Sequence, residues 1–212
     1  SFACMLWPDE YYKYFKEHFI AADEMVKAYY LTIMKFGIFG REEGKASQEG
    51  EGAGRNLVLK PDRVKFIVEN TLELAKSTDK KIKERCADLI RPLAPFFVQY
   101  LQENSRYEKI EPERRYFILA ILVAASLQER SDVPKAGLLP FIKFELGQKY
   151  ASNFIEAVFL PSYFSSDFVK ALPEDIAKAL RWYILDNYRY IMSSPNAESR
   201  SKEIMKAFGI VA

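Results

Sequence analysis

Proline followed at once by an acidic residue recurs along this sequence and divides it into helical segments. The four pairs are Pro8-Asp9, Pro61-Asp62, Pro112-Glu113 and Pro173-Glu174. Proline suits the first helical position because its missing N–H has no partner there, and an acidic neighbour faces the positive end of the helix dipole. Each pair precedes apolar residues at three- and four-residue spacing, which predicts a helix after each proline.

The apolar spacing predicts an all-α bundle of about seven helices. A first long helix is expected over about 8–36. A third helix that carries Pro92 and Pro95 should kink or break near Arg91. Residues 117–125 are apolar on all sides, so we expect a central helix near residues 113–128, covered by its neighbours. A buried strand is the alternative there, although the charged entry and alanine-rich exit favour helix. Only residues 56–59 read as a short strand.

Length and glycine content predict the domain organisation. A chain of 212 residues favours a single domain, 1–212. Residues 40–56 hold five of the nine glycines and no large apolar side chain, which predicts a long flexible loop. Sub-lobes 1–130 and 138–212, joined through residues 131–137, are the alternative organisation.

Composition excludes several classes of protein. The formal net charge of +2 argues against a basic nucleic-acid tail or an acidic tail, and the longest apolar run is about half of the ~20 residues that cross a bilayer. The first residues lack a basic and apolar leader pattern, so we expect a cytoplasmic protein without membrane partners. Only five Gln and six Asn beside 60 charged residues indicate a thermophile-like protein. In a thermophile cytosol, where intracellular disulfides do occur, a Cys4–Cys86 disulfide is compatible with the sequence.

Catalytic, metal and cofactor motifs are not evident, and we expect none of these sites. His18 is the only histidine, whereas zinc requires four nitrogen or sulfur ligands, or three and water. The glycine-rich run 50–55 lacks the Lys-Ser/Thr pair of a phosphate loop. Cys86 lies on an apolar stripe, where an inert buried thiol is expected. Glu145 and Glu156 lie among apolar residues and are either general acids or partners in ion pairs.

Basic residues next to aromatic residues are the most informative feature for function. Residues 76–91 contain six Lys/Arg against three acids, and arginines adjoin tyrosine or tryptophan elsewhere. Single-stranded nucleic acid binds to such surfaces by stacking and by phosphate contacts. The predicted nucleic-acid-binding residues are Lys80, Lys81, Lys83, Arg85, Arg114, Arg115, Arg181, Trp182 and Arg189. Tyrosine and arginine are also typical of protein interfaces, which is the alternative interpretation.

The leading hypothesis is a non-enzymatic helical subunit or adaptor of an intracellular macromolecular assembly. Its partners would be other protein subunits, with single-stranded RNA or DNA held on the basic-aromatic residues. The alternative is an enzyme that uses Glu145 and Glu156 as buried carboxylates on a helical scaffold.

Overall fold

A computed structural model describes residues 8–41, 57–126, 135–149 and 151–154, and positions 157, 158, 174, 177, 178, 181, 182, 185 and 206. The chain divides into two compact units, residues 1–92 and residues 93–212. The predicted joint at 131–137 falls largely outside the described residues. Both the single-domain organisation and the sub-lobes 1–130 and 138–212 therefore stay predictions.

The first unit is a group of helices joined by a two-stranded ribbon. Its elements in chain order are α1 (Pro8–Phe19), α2 (Glu24–Met34), a 3₁₀ turn (Lys35–Gly37), β1 (Phe39–Arg41), β2 (Leu57–Leu59), α3 (Pro61–Leu74) and α4 (Lys80–Ile90). Helix α2 packs against α1, α3 and α4. The residues sealed between them include Leu31, Ile67 and Leu89, each with no exposed surface. Each such side chain contributes roughly 1.5–3 kcal/mol through burial.

The long first helix predicted over 8–36 is wrong, because it is two helices. Helix α1 ends at Phe19, and α2 begins only after Asp23. The Asp23 carboxylate accepts a hydrogen bond from the backbone N–H of Val26 at 2.8 Å. This N-cap satisfies a donor at the start of α2 and so fixes a new helix start within the apolar spacing.

Strands β1 and β2 pair antiparallel, with Phe39 opposite Leu59 and Arg41 opposite Leu57. The predicted short strand is therefore confirmed at 57–59. Of the predicted flexible loop 40–56, Gly40 and Arg41 belong to β1, and residues 42–56 lie outside the described residues.

The second unit is built around an apolar helix. Its elements are α5 (Ala94–Gln102), 3₁₀ turns at Glu103–Ser105 and Tyr107–Lys109, α6 (Pro112–Ser126), α7 (Lys135–Leu146) and α8 (Ala151–Phe154). Helix α6 packs against α5 and α7, and Ile118, Leu119 and Leu122 are fully buried. The predicted all-α fold and its central apolar helix are thus confirmed. The predicted break near Arg91 is also confirmed, since α4 ends at Ile90 and α5 starts at Ala94.

Candidate functional site

Helix α1 carries more aromatic rings than one buried face can hold. Tyr12 and Phe19 are buried against the first unit. Tyr11, Tyr14, Phe15 and His18 follow a second stripe at three- and four-residue spacing, and the Tyr14 side chain is 53% exposed. Ring contacts connect this stripe, with centroids 5.5 Å apart for Tyr14 and Phe15 and 4.3 Å apart for Tyr14 and His18.

The outward side of α2 continues this aromatic surface. The Phe15 ring lies 5.1 Å from the Tyr30 ring of α2. The positions of α2 that are partly or fully exposed and uncharged are Met25, Val26, Tyr29, Tyr30, Thr32 and Ile33. Tyr29 is the most exposed aromatic residue of α2, at 46%. We call the stripe of α1 and these α2 residues together the α1–α2 face.

A basic rim borders the α1–α2 face on the side of α4. The Arg85 guanidinium lies over the Tyr29 ring at 4.8 Å, and its Nη2 is 3.4 Å from the Tyr29 hydroxyl. Lys81 precedes Arg85 by one helical turn on the same flank, and it is exposed. Among the residues that the structure describes, Lys81 has no ion-pair partner within 4.0 Å. Two cations therefore adjoin an exposed tyrosine at this edge.

An acidic rim borders the same face on the far side of α1. Glu10 and Glu17 are both exposed and lie four residues before and three residues after Tyr14. Glu17 faces Lys13 at 4.0 Å, a contact of exposed groups that water screens. The α1–α2 face is thus an uncharged surface with two cations along one edge, and with two carboxylates and the exposed Lys13 along the other.

The residues predicted from the sequence overlap with the α1–α2 face and its rims in part. Lys81 and Arg85 were among the predicted residues, and the structure places them together. Tyr14 and Tyr29 were missed, although the signal for Tyr14 was present. At about 100° per residue, Tyr14 points about 160° away from Tyr12 and about 140° away from Phe19, so it cannot share their buried face. Tyr29 lies 56 residues from Arg85 in sequence, and only the packing of α2 on α4 joins them.

Other predicted cations of α4 and α6 have partners of their own. Lys80 is 3.9 Å from Glu84 across an exposed turn of α4. Lys83 is partly buried on the opposite flank from Lys81. Arg114 places its Nη2 2.7 Å from the Glu111 carboxylate, and its side chain is largely buried. These residues do not extend the basic rim of the α1–α2 face.

Arg115 is buried, so we do not retain it as a surface nucleic-acid contact. Its side chain is 8% exposed, and that of Glu145 is 0% exposed. The Arg115 Nε donates to Glu145 Oε1 at 2.6 Å, Nη2 donates to Oε2 at 3.4 Å, and Nη1 donates to the Ile110 carbonyl at 2.6 Å. Of its two predicted roles, Glu145 therefore has that of an ion-pair partner, with an arginine of another helix. Its position is not open, as that of a general acid would be.

Aromatic rings enclose this ion pair. The Arg115 guanidinium lies 5.1 Å from the Phe144 ring and 5.9 Å from the Tyr107 ring. Burial raises the pKa of Tyr107 far above its usual range, and the charge of Glu145 raises that pKa further. The hydroxyl of Tyr107 is accordingly neutral beside the carboxylate.

Exposed residues of the second unit include a tryptophan. Trp182 is 74% exposed and Leu185 is 47% exposed, and both occupy helical positions next to the exposed Arg181. Tryptophan is usually mostly buried, so its exposure here is unusual. Arg189 and Glu156 lie outside the described residues.

The remaining polar candidates take structural positions. His18 is exposed, and its Nδ1 donates to the Tyr14 carbonyl at 2.8 Å. Cys86 is a buried free thiol, and burial raises its pKa to about 12. Cys4 lies outside the described residues. Across the described ranges, no three His, Cys, Asp or Glu side chains gather as metal ligands. No helix within those ranges combines the length and apolarity needed to cross a membrane.

Comparison of the chain with protein families, with curated proteins and with solved structures finds no match.

Proposed function

We propose that this chain is a non-enzymatic helical subunit or adaptor of a macromolecular assembly, and that the α1–α2 face is a protein-contact surface. The observation that carries the proposal is the uncharged outward side of α2, with Tyr29 46% exposed between charged rims. Protein interfaces have this composition, with tyrosine and methionine at a centre depleted in charge and a polar rim around it. The exposed Trp182 of the second unit is a further aromatic residue of the type that protein interfaces use.

The test is recovery of the tagged full-length chain from its own cells at low protein concentration. We expect stoichiometric partner proteins with the wild type and with Lys109→Glu, which changes an exposed residue of the second unit. Tyr29→Glu places a charge at the centre of the face and should release the partners. Equal recovery with all three chains would place the contact elsewhere, and recovery of the bare chain would contradict the proposal.

Contact with single-stranded nucleic acid is the second candidate function. The observation that favours it is the Arg85 guanidinium stacked on Tyr29 with Lys81 one turn away, because bases stack on such planes and phosphates bind to cations. This function would occupy the same edge of the α1–α2 face and so competes with the first.

Titration of labelled single-stranded RNA and DNA at two salt concentrations tests this candidate. We expect binding at low salt that weakens as salt rises, and Lys81→Ala should reduce the logarithmic salt slope by about 0.7 for one lost phosphate contact. Tyr29→Phe keeps the ring and should bind like the wild type. Absence of binding at low salt would exclude this function.

The cytoplasmic location and the thermophile origin stay part of the proposal. The scarcity of Gln and Asn supports the second, with five and six in the whole chain. A midpoint of thermal unfolding above about 90 °C would support it, whereas one of about 45–65 °C is ordinary for mesophiles and would contradict it.

An enzyme that uses Glu145 and Glu156 receives no support from the geometry. Glu145 is fully buried and paired with Arg115, so its carboxylate does not reach solvent, and Glu156 lies outside the described residues.

A further inference from the structure

The two rims of the α1–α2 face carry opposite charges on opposite edges. Lys81 and Arg85 line the edge formed by α4, where the exposed Asp88 faces Arg91 at 3.6 Å. Glu10 and Glu17 line the edge formed by α1, where the exposed Lys13 faces Glu17 at 4.0 Å. The net charge is therefore positive on the first edge and negative on the second. Helix α2 lies between these edges, since Tyr30 contacts Phe15 of α1 and Tyr29 contacts Arg85 of α4. Consecutive residues of a helix point about 100° apart, so the two contacts lie on different flanks of α2.

This arrangement of charge is complementary to itself. When two copies of the face meet about a twofold axis parallel to α2, the α4 edge of each copy lies opposite the α1 edge of the other. Each basic rim then faces an acidic rim, and the contact occurs twice. A twofold axis across α2 would instead set carboxylates against carboxylates, which is repulsive. Both arrangements would cover the uncharged centre, with Tyr29 and Ile33, but only the first also sets rims of opposite charge against each other.

We infer that the α1–α2 face binds a second copy of this chain in a twofold dimer, with Lys81 and Arg85 of each copy facing Glu10 and Glu17 of the other. The inference rests on the proposed function of the face as a protein-contact surface and identifies its first partner. An isologous contact of this kind uses the same patch on both copies, so the dimer is closed and no copy of the patch is left to bind a third chain.

The test measures the mass of the full-length protein in solution by sedimentation at about 1 µM and about 100 µM, because a dimer follows mass action. We expect the wild type and Lys109→Glu to dimerise alike. Reversal of the basic rim (Lys81→Glu with Arg85→Glu) and reversal of the acidic rim (Glu10→Lys with Glu17→Lys) should each weaken association about tenfold or more, since like charges then meet at both rims. Circular dichroism checks that each variant is folded.

Mixing the two reversed variants gives the decisive result. One variant is then acidic at both rims and the other is basic at both, so the mixture should form a heterodimer with near wild-type affinity. Tyr29→Glu, which places a carboxylate in the uncharged centre and beside Arg85, should also prevent the dimer. A wild type that is monomeric at the higher concentration would overturn the inference, as would a dimer that neither reversal affects.

These outcomes are separate from those of the proposed function. A monomer that still loses its cellular partners on Tyr29→Glu would overturn the dimer and leave the protein-contact function in place. A monomer that binds single-stranded RNA through Arg85 would overturn the dimer and support the second candidate function.

Discussion

Arg115 carries a charge inside the second unit, and the energetics of that charge follow from its partners. Its guanidinium is matched by both oxygens of Glu145 and by the Ile110 carbonyl. Desolvation of such a pair is costly, and the attraction between the groups offsets the cost only while both are present. The pair therefore specifies how α6 and α7 meet more than it adds to net stability.

Removal of one partner should destabilise the fold strongly. We expect Glu145→Gln and Arg115→Met each to lower the free energy of unfolding by about 3–5 kcal/mol, because each leaves the other group buried and uncompensated. The double variant Arg115→Met with Glu145→Leu should return to within about 1 kcal/mol of the wild type. Urea unfolding measures all three. Single variants as stable as the wild type would show that the remaining charge reaches water.

Cys86 is a second buried polar group, and its chemistry should reflect its burial. In a Cys4→Ser background we expect the native thiol to resist Ellman's reagent at pH 8, because a pKa of about 12 leaves almost no thiolate. The same thiol should react at once in denaturant. Rapid reaction of the native protein would contradict the buried position.

The same raised pKa predicts the direction of the pH dependence. A folded pKa of about 12 exceeds the unfolded value of 9.0, so the thiol stabilises the fold below pH 9 and loses this contribution as pH rises towards 12. Cys86→Ala should reduce this alkaline loss of stability. It should not abolish the loss, since burial also raises the pKa of Tyr12 to about 12.

Among the helices, the proline–acid pairs predicted helix starts correctly, whereas the N-cap residue Asp23 was not predicted. Pro61 and Pro112 each begin a helix, as their chemistry requires. Asp79 caps α4, since its carboxylate accepts a hydrogen bond from the backbone N–H of Lys81 at 2.7 Å. Asp23 has the same role, yet the apolar spacing continues past it. Local periodicity therefore could not separate α1 from α2.

The site was harder to predict than the helices for a physical reason. Helix starts depend on neighbouring residues, whereas the pairing of Arg85 with Tyr29 depends on how two distant helices pack. Because Arg115 adjoins a tyrosine in sequence, it was predicted to be a surface cation. In the packed second unit, Arg115 is buried and pairs with Glu145.

Asp23→Ala should reveal the separate start of α2. Loss of the 2.8 Å bond to Val26 removes an N-cap, which costs about 1 kcal/mol of unfolding free energy. Asp23→Ser retains a capping oxygen and should keep most of the stability. Chemical unfolding distinguishes the two variants, and an equal effect of both would indicate that the carboxylate acts through charge alone.

At the scale of the whole molecule, the two compact units each bury their own apolar residues. Leu31, Ile67 and Leu89 belong to the first unit, and Ile118 and Leu122 belong to the second. Units with separate cores are the usual basis of independent folding.

A fragment of residues 1–92 should therefore fold without the rest of the chain. We expect helical circular dichroism and a cooperative thermal transition, because its core comes from its own helices. A fragment of residues 93–212 serves as the matched comparison. A gradual, non-cooperative loss of signal from 1–92 would show that its core needs the second unit.

The pairing of β1 with β2 determines how the chain tolerates insertions between the two strands. Because Arg41 and Leu57 are cross-strand partners, the fifteen residues between them begin and end at neighbouring points in space. The entropy of closing such a segment grows only slowly with length, at about 0.6 kcal/mol for each doubling. Insertion of another domain at this point should therefore leave the helices around Leu31 intact.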